Sequence, residues 1–194
     1  GGSLIDDEVA FNQFLEHFSQ IKEQKILIHG GGKLANQMAD RLSIPQKMID
    51  GRRVTDKATL DIVTMVYAGN INKNIVSKLQ GFGSNAVGFS GADANLIRSK
   101  KRENPDVDFG FVGDVDKFSV NAVLISQFLD LGLIPTFSAI THNGDGLLLN
   151  TNADTVASVV AQAMSEFYDC ELLYCFNKDG VLEDVNQPES LVKK

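Results

Sequence analysis

Apolar positions along the chain follow two different spacings. Short, mainly apolar runs at 26–28, 86–89 and 133–137 predict strands that are buried on both faces. Other stretches, such as 34–42, place an apolar residue at every third or fourth position, which is the spacing of an amphipathic helix. Strands and helices that alternate in this way predict βαβ units, and therefore an α/β fold with a mainly parallel sheet and helices on both faces.

A few segments depart from this alternation. Residues 44–54 read as a loop or short hairpin, and residues 96–115 as an antiparallel flap. Asn-Gly-Asp-Gly at 143–146 predicts a hairpin turn. Thr55 is placed to cap a long helix, and residues 171–176 predict one more strand.

Three consecutive glycines follow the strand predicted at 26–28. Gly30, Gly31 and Gly32 lead directly into a helix, so bare backbone N–H groups would collect at the positive end of a helix dipole. Such a place holds anions, and glycine lets a ligand approach the backbone closely. The alternative is a tight connection that merely needs glycine. His29, just before the glycines, is placed to shape the turn.

Two further polar features suit a small acidic ligand. Asn150, Asn152 and Asp154 would share one side of an extended segment and could hold a polar ligand, although capping of the next helix explains one of them equally well. Arg53 could clamp a carboxylate in bidentate fashion, or it could be a solvated loop arginine.

A competing interpretation of the glycine turn is a dinucleotide site. Residues 30–35 satisfy G-x-G-x-x-A, and Asp50 lies near the distance expected for the acidic partner. An NAD(P)-dependent oxidoreductase is therefore an open alternative. That fingerprint belongs on the first strand of a Rossmann unit, whereas here we expect a strand-and-helix unit before the glycines. No P-loop or nucleophile elbow is present, because Leu34 follows Gly32-Lys33 where a P-loop needs Ser or Thr.

Bulk composition excludes several classes of function. The 194 residues carry a net charge of −7, which argues against nucleic-acid binding because that needs a broad positive face. No apolar run has the length of a membrane span. The two cysteines make no metal pattern, so we expect no metal bound by the protein itself. In a strand they would point to opposite faces, which argues against a disulfide and predicts a reducing, cytoplasmic location.

Four sequence pieces, taken together, carry a family resemblance. In chain order they are Gly1-Gly2, His29-Gly30-Gly31-Gly32, Asp50-Gly51-Arg52-Arg53-Val54-Thr55 and Asn150-Thr151-Asn152-Ala153-Asp154. They resemble the amino acid kinase family, and within it the kinases that phosphorylate the side-chain carboxylate of an N-acyl-L-glutamate, acetylated or succinylated, in arginine biosynthesis. The resemblance implies a three-layer α/β/α sandwich, a homodimer, and MgATP as the phosphoryl donor.

The resemblance also implies a role for individual residues. Gly2 and Asp154 would be catalytic, the first through its backbone amide and the second by orienting lysines. The acylglutamate would be bound by Gly31, Gly32, Arg53, Asn150 and Asn152. The ATP-binding loop would comprise Asn177, Lys178, Asp179, Gly180, Val181 and Leu182, although this loop departs from the family's usual acidic, valine-containing version.

By the same resemblance, residues 1–149 would form an acylglutamate-binding and dimerisation lobe. Residues 150–194 would begin the nucleotide-binding lobe. The family's two catalytic lysines have no counterpart here; one is expected two positions before Gly1 and the other beyond Lys194, so we expect the chain to be part of a longer protein. If those lysines were absent altogether, a regulatory protein that binds a small molecule without catalysis would be the alternative.

Overall fold

The computed structural model describes residues 2–5, 7–49 and 51–175. Its α-helices are α1 (Gly2–Ile5), α2 (Glu8–Gln20), α3 (Gly32–Arg41), α4 (Lys57–Thr64), α5 (Asn72–Gly81), α6 (Ala122–Asp130) and α7 (Ala153–Met164). A π-helical segment, Met65–Ile71, joins α4 to α5. The strands are β1 (Leu27–His29), β2 (Lys47–Ile49), β3 (Arg52–Val54), β4 (Ala86–Phe89), β5 (Lys100–Lys101), β6 (Gly113–Asp114), β7 (Ile134–Ser138), β8 (Ile140–His142) and β9 (Leu148–Asn150).

The central sheet is parallel, as the alternating pattern predicts. Its described strands lie in the order β1-β7-β4, with Leu27 of β1 opposite Thr136 of β7 and Ala86 of β4 opposite Ile134. All five residues of β7 are buried because this strand has a neighbour on each side and helices on both faces.

Two hydrophobic cores lie on opposite faces of this sheet, which confirms the three-layer α/β/α arrangement. Successive side chains of β7 alternate between them, with Ile134 in one core and Phe137 in the other. The first core is built by α2, α3, α4, the π-helical segment and α5; its buried members include Leu15, Leu60, Val63, Ile75 and Leu79. The second core is built by α6 and α7; its buried members include Ile125, Leu129, Val156, Val160 and Met164.

The three predicted departures from the parallel pattern are antiparallel hairpins. Residues 44–54 contain the pair β2 and β3, and residues 96–115 contain β5 and β6. The turn at 143–146 joins β8 to β9, which ends at Asn150. All three lie outside the central sheet.

Two local predictions were wrong. Thr55 does not cap the following helix; Asp56 does, with its carboxylate accepting a hydrogen bond from the Thr59 N–H at 2.8 Å. Thr55 stays extended in a bridge to Gly110. Residues 171–175 form no strand, and Phe176 lies outside the described residues.

Among the described helices, none is both long enough and apolar enough to cross a membrane.

Candidate active site

Two helices begin beside each other at the carboxyl end of the central sheet. β1 ends at His29 and leads through the glycines into α3, while α7 begins at Ala153 after β9. A Cβ on Gly30 would lie only 3.5 Å from the Ala153 Cβ, so the glycine turn packs against the start of α7. Ligands of parallel α/β sheets bind outside the carboxyl ends of the strands, and two helix N-termini favour an anion there.

Gly31 must be glycine because of what lies against it. A Cβ at this position would overlap the Ile71 side chain and lie 3.1 Å from a ring carbon of Tyr67, both in the π-helical segment. The backbone N–H of Gly31 has no acceptor among the described residues. The N–H of Gly32 belongs to the first turn of α3, where the helix itself offers no acceptor. The structure thus places two backbone donors at this turn, as the sequence predicts.

Arg53 is held against the same turn. Its guanidinium donates one hydrogen bond to the main-chain carbonyl of Gly32 at 3.1 Å and another to the Gln46 side-chain oxygen. A guanidinium has five N–H donors, so these two bonds leave donors for a ligand. The alternative of a solvated loop arginine is wrong, because Arg53 is half-buried and has two partners.

The Tyr67 hydroxyl lies beside Arg53 and Gly32. A Cβ on Gly32 would lie 3.8 Å from the Tyr67 hydroxyl oxygen and 3.6 Å from an Arg53 guanidinium nitrogen. Burial raises the pKa of Tyr67, and the neighbouring Arg53 charge opposes that rise only in part. Tyr67 therefore presents a neutral O–H group to the cleft at neutral pH.

Asn150 is fixed through Thr55, so a hydrogen bond joins the sequence pieces 50–55 and 150–154. The Asn150 amide nitrogen donates to the Thr55 hydroxyl at 3.0 Å, and its backbone N–H donates to the Phe111 carbonyl at 2.9 Å. Thr55 is fully buried and donates its own N–H to the Phe109 carbonyl at 2.9 Å. These bonds leave the Asn150 side-chain oxygen available as an acceptor.

Asn152 is the residue that caps α7. Its side-chain oxygen accepts hydrogen bonds from the backbone N–H of Thr155 at 2.8 Å and from the Thr155 hydroxyl at 3.1 Å. The capping alternative is therefore confirmed for Asn152 but not for Asn150. Asp154 is exposed in the first turn of α7, where the helix dipole stabilises its negative charge.

One open cleft of about 1520 Å³ brings the predicted residues together. This volume exceeds the usual size of a single small-molecule pocket, so the cleft has room for more than one small molecule. Leu4 and Ile5 of α1 also line it. Gly2, the predicted catalytic glycine, is the first residue of that helix. The predicted ATP-binding loop, residues 177–182, lies outside the described residues. Its lining includes Gly31, Gly32, Arg53, Asn150, Asn152 and Asp154.

Three contributors to the cleft were missed by the sequence prediction. The sequence places Tyr67 among the apolar residues of the long helix after Thr55, although a phenol in such a stripe signals a polar end that needs a partner. Gln46 carried no local signal, and the local signal of Thr55 was that of a helix cap, because the importance of both comes from contacts with Arg53 and Asn150.

The described residues include no group of three His, Cys, Asp or Glu side chains that could hold a metal ion. The dinucleotide interpretation also lacks support. The strand before the glycines, β1, lies at one end of the described sheet order, whereas the fingerprint of a dinucleotide site belongs on a central strand.

Comparison with known proteins identifies the family. The amino acid kinase family matches residues 1–194. Acetylglutamate kinases from Bacteroides fragilis and Phocaeicola vulgatus are 49% and 50% identical over 192 residues, which is 99% of this chain and 73% and 74% of theirs. The crystal structure of smu.665 from Streptococcus mutans UA159 superposes with a TM-score of 0.77 at 28% identity, covering 89% of this chain and 68% of that one. The chain belongs to the amino acid kinase family.

Proposed function

We propose that this chain phosphorylates the side-chain carboxylate of an N-acyl-L-glutamate, with ATP as the phosphoryl donor, in arginine biosynthesis. The observation that carries the proposal is the shared cleft. Gly31, Arg53 and Asn150 line it in a chain that is 49% identical to an acetylglutamate kinase over nearly its whole length.

The reaction joins two anions. An oxygen of the side-chain carboxylate attacks the γ-phosphorus of ATP, the bond from that phosphorus to the β–γ bridging oxygen breaks, and ADP leaves with the electron pair. The product is an acyl phosphate. Phosphoryl transfer asks a protein mainly for positioning and charge neutralisation. The two helix N-termini and the N–H groups of Gly31 and Gly32 supply donors where the negative charge gathers.

Arg53 and Asn150 would position the acylglutamate from the other side. The remaining guanidinium donors of Arg53 suit a carboxylate, while the free side-chain oxygen of Asn150 suits the N–H of the acylamino group. Asn152 would support this site by capping α7. Asp154 would orient the catalytic lysines, and Gly2 would add its backbone amide.

Several parts of the proposal come from the family resemblance alone. Residues 177–182 would bind the nucleotide, and residues 1–149 would form the acylglutamate-binding lobe of a homodimer in the cytoplasm, with 150–194 beginning the nucleotide-binding lobe. Mg²⁺ would accompany ATP on its phosphate oxygens, since the described residues offer no carboxylate cluster for it.

Acylglutamate-dependent ADP release is the test. The full-length protein would be assayed with MgATP and either N-acetyl- or N-succinyl-L-glutamate, and the acyl phosphate would be trapped with hydroxylamine. We expect turnover with at least one of them. Free L-glutamate is the control, because it lacks the acyl group and carries an ammonium instead. ADP release that does not depend on either acylglutamate would overturn the proposal.

A further inference from the structure

A buried histidine lies directly behind the glycine turn. His29 ends β1 with only 6% of its surface exposed. Its Nδ1 lies 3.0 Å from the Gly30 carbonyl oxygen, and its Nε2 lies 3.0 Å from the Asn72 amide nitrogen. A carbonyl can only accept and an amide NH₂ can only donate, so Nδ1 carries the hydrogen and Nε2 is the acceptor. Burial lowers the pKa of His29 to about 4, which keeps the ring neutral at physiological pH.

The bond to Gly30 determines the direction of the next N–H group. The peptide between Gly30 and Gly31 is trans and planar, so its C=O and N–H point in opposite directions. With the Gly30 carbonyl held towards the buried His29 ring, the Gly31 N–H points away from the ring. This N–H is the one that has no acceptor among the described residues.

Asn72 fixes the imidazole from behind. It is 1% exposed, and its amide nitrogen also donates to the Thr136 carbonyl of β7 at 2.9 Å. Its side-chain oxygen accepts from the Lys73 ammonium at 3.2 Å. Gly88 on β4 makes room for this arrangement, because a Cβ there would overlap the Asn72 oxygen. Both amide hydrogens and the amide oxygen of Asn72 are therefore engaged.

We propose that His29 and Asn72 are positioning residues, which use the Gly30 carbonyl to aim the Gly31 N–H at the oxygen that gains negative charge during phosphoryl transfer. The inference rests on the proposed function, but it adds a role for two buried side chains. His29 selects the peptide orientation, and Asn72 selects the histidine tautomer.

The test combines kinetics with nuclear magnetic resonance on the full-length protein. Asn72→Leu keeps a similar volume and removes both amide hydrogens. Thr136→Val is the control, because it removes the buried Thr136 hydroxyl of β7 but leaves in place the main-chain carbonyl that accepts from Asn72. We expect Asn72→Leu to lower kcat about tenfold to hundredfold with the KM for ATP within about twofold. The control should keep kcat within about twofold. The Gly31 amide resonance should shift in Asn72→Leu only.

The wild-type protein supplies a second, independent readout. We expect ¹⁵N spectra to show the Nδ1–H tautomer of His29; an Nε2–H tautomer would overturn the inference. So would a folded Asn72→Leu variant with unchanged kcat and an unmoved Gly31 resonance. If Asn72→Leu does not fold, Gly88→Ala displaces Asn72 from the β4 side and should lower kcat in the same way. A wild type without acylglutamate-dependent ADP release would instead refute the proposed function. The observed His29 tautomer would still show how the peptide between Gly30 and Gly31 is oriented.

Discussion

The Arg53 guanidinium donates a hydrogen bond to the main-chain carbonyl of Gly32 at 3.1 Å. This bond ties the β2–β3 hairpin to the first turn of α3. It places a permanent positive charge beside a helix N-terminus, so both features favour the same anionic ligand. The Gln46 side chain holds the guanidinium from another direction.

Loss of the Arg53 side chain should weaken acylglutamate binding. We expect Arg53→Ala to raise the KM for acylglutamate about tenfold to hundredfold, since a hydrogen bond to a charged group contributes about 1.5 to 3 kcal/mol. The KM for ATP should change little. Steady-state kinetics measures both, with Arg41→Ala as control because Arg41 is exposed at the far end of α3. An unchanged acylglutamate KM would remove Arg53 from the site.

Local sequence signals were sufficient for one half of this site. A buried apolar run followed by three glycines and a helical spacing predicts β1, the turn and α3 without knowledge of the rest of the chain. The predicted parallel sheet follows from the repetition of such units, and both cores confirm it. The two backbone donors at Gly31 and Gly32 could be predicted from neighbours in sequence alone.

The other half depends on contacts between distant residues. Asn150 is placed by Thr55, 95 positions earlier, and no local pattern encodes that pair. Thr55 was assigned as a helix cap because Thr and Asp both cap helices well, and the adjacent Asp56 takes that role. The π-helical segment that presses Tyr67 against Gly31 also has no sequence signature, since its residues continue the spacing of an ordinary helix.

The bond between Thr55 and Asn150 should be visible in stability. Thr55→Val leaves a buried Asn150 N–H without its acceptor, so we expect the free energy of unfolding to fall by about 1 to 3 kcal/mol. Thr64→Val is a matched control, because the Thr64 hydroxyl is buried without a partner among the described residues. That variant should be neutral or more stable than the wild type. Urea unfolding monitors both, and equal effects of the two substitutions would contradict the role of Thr55.

Gly110 should tolerate a methyl group far less than Gly132, although both have φ +74°. Alanine in this left-handed conformation costs about 1 to 2 kcal/mol at either position. A Cβ on Gly110 would in addition overlap the Thr55 carbonyl, whereas nothing lies within 4 Å of one on Gly132. We expect Gly110→Ala to lose about 3 kcal/mol or more of unfolding free energy and Gly132→Ala about 1. Similar losses in urea unfolding would show that the contact between Gly110 and Thr55 is loose.

The buried His29 should make the protein less stable in mild acid. Burial lowers its pKa from 6.5 to about 4, so between these values the unfolded chain binds a proton that the folded protein does not. Its contribution to stability is complete above pH 6.5 and is lost as the pH falls towards 4. The pKa difference between the folded and the unfolded protein corresponds to about 3 kcal/mol of unfolding free energy. His29→Gln removes the titrating group, and His17→Gln is the control because His17 is exposed on α2.

Urea unfolding at pH 7.5, 5.5 and 4.5 measures the effect. The wild type and His17→Gln should lose stability more steeply on acidification than His29→Gln, because only His29→Gln lacks the buried imidazole. The difference between His29→Gln and the wild type should therefore shrink as the pH falls. A difference that is the same at all three values would mean that His29 is protonated equally in the folded and unfolded protein, and would contradict a neutral, buried imidazole behind the glycine turn.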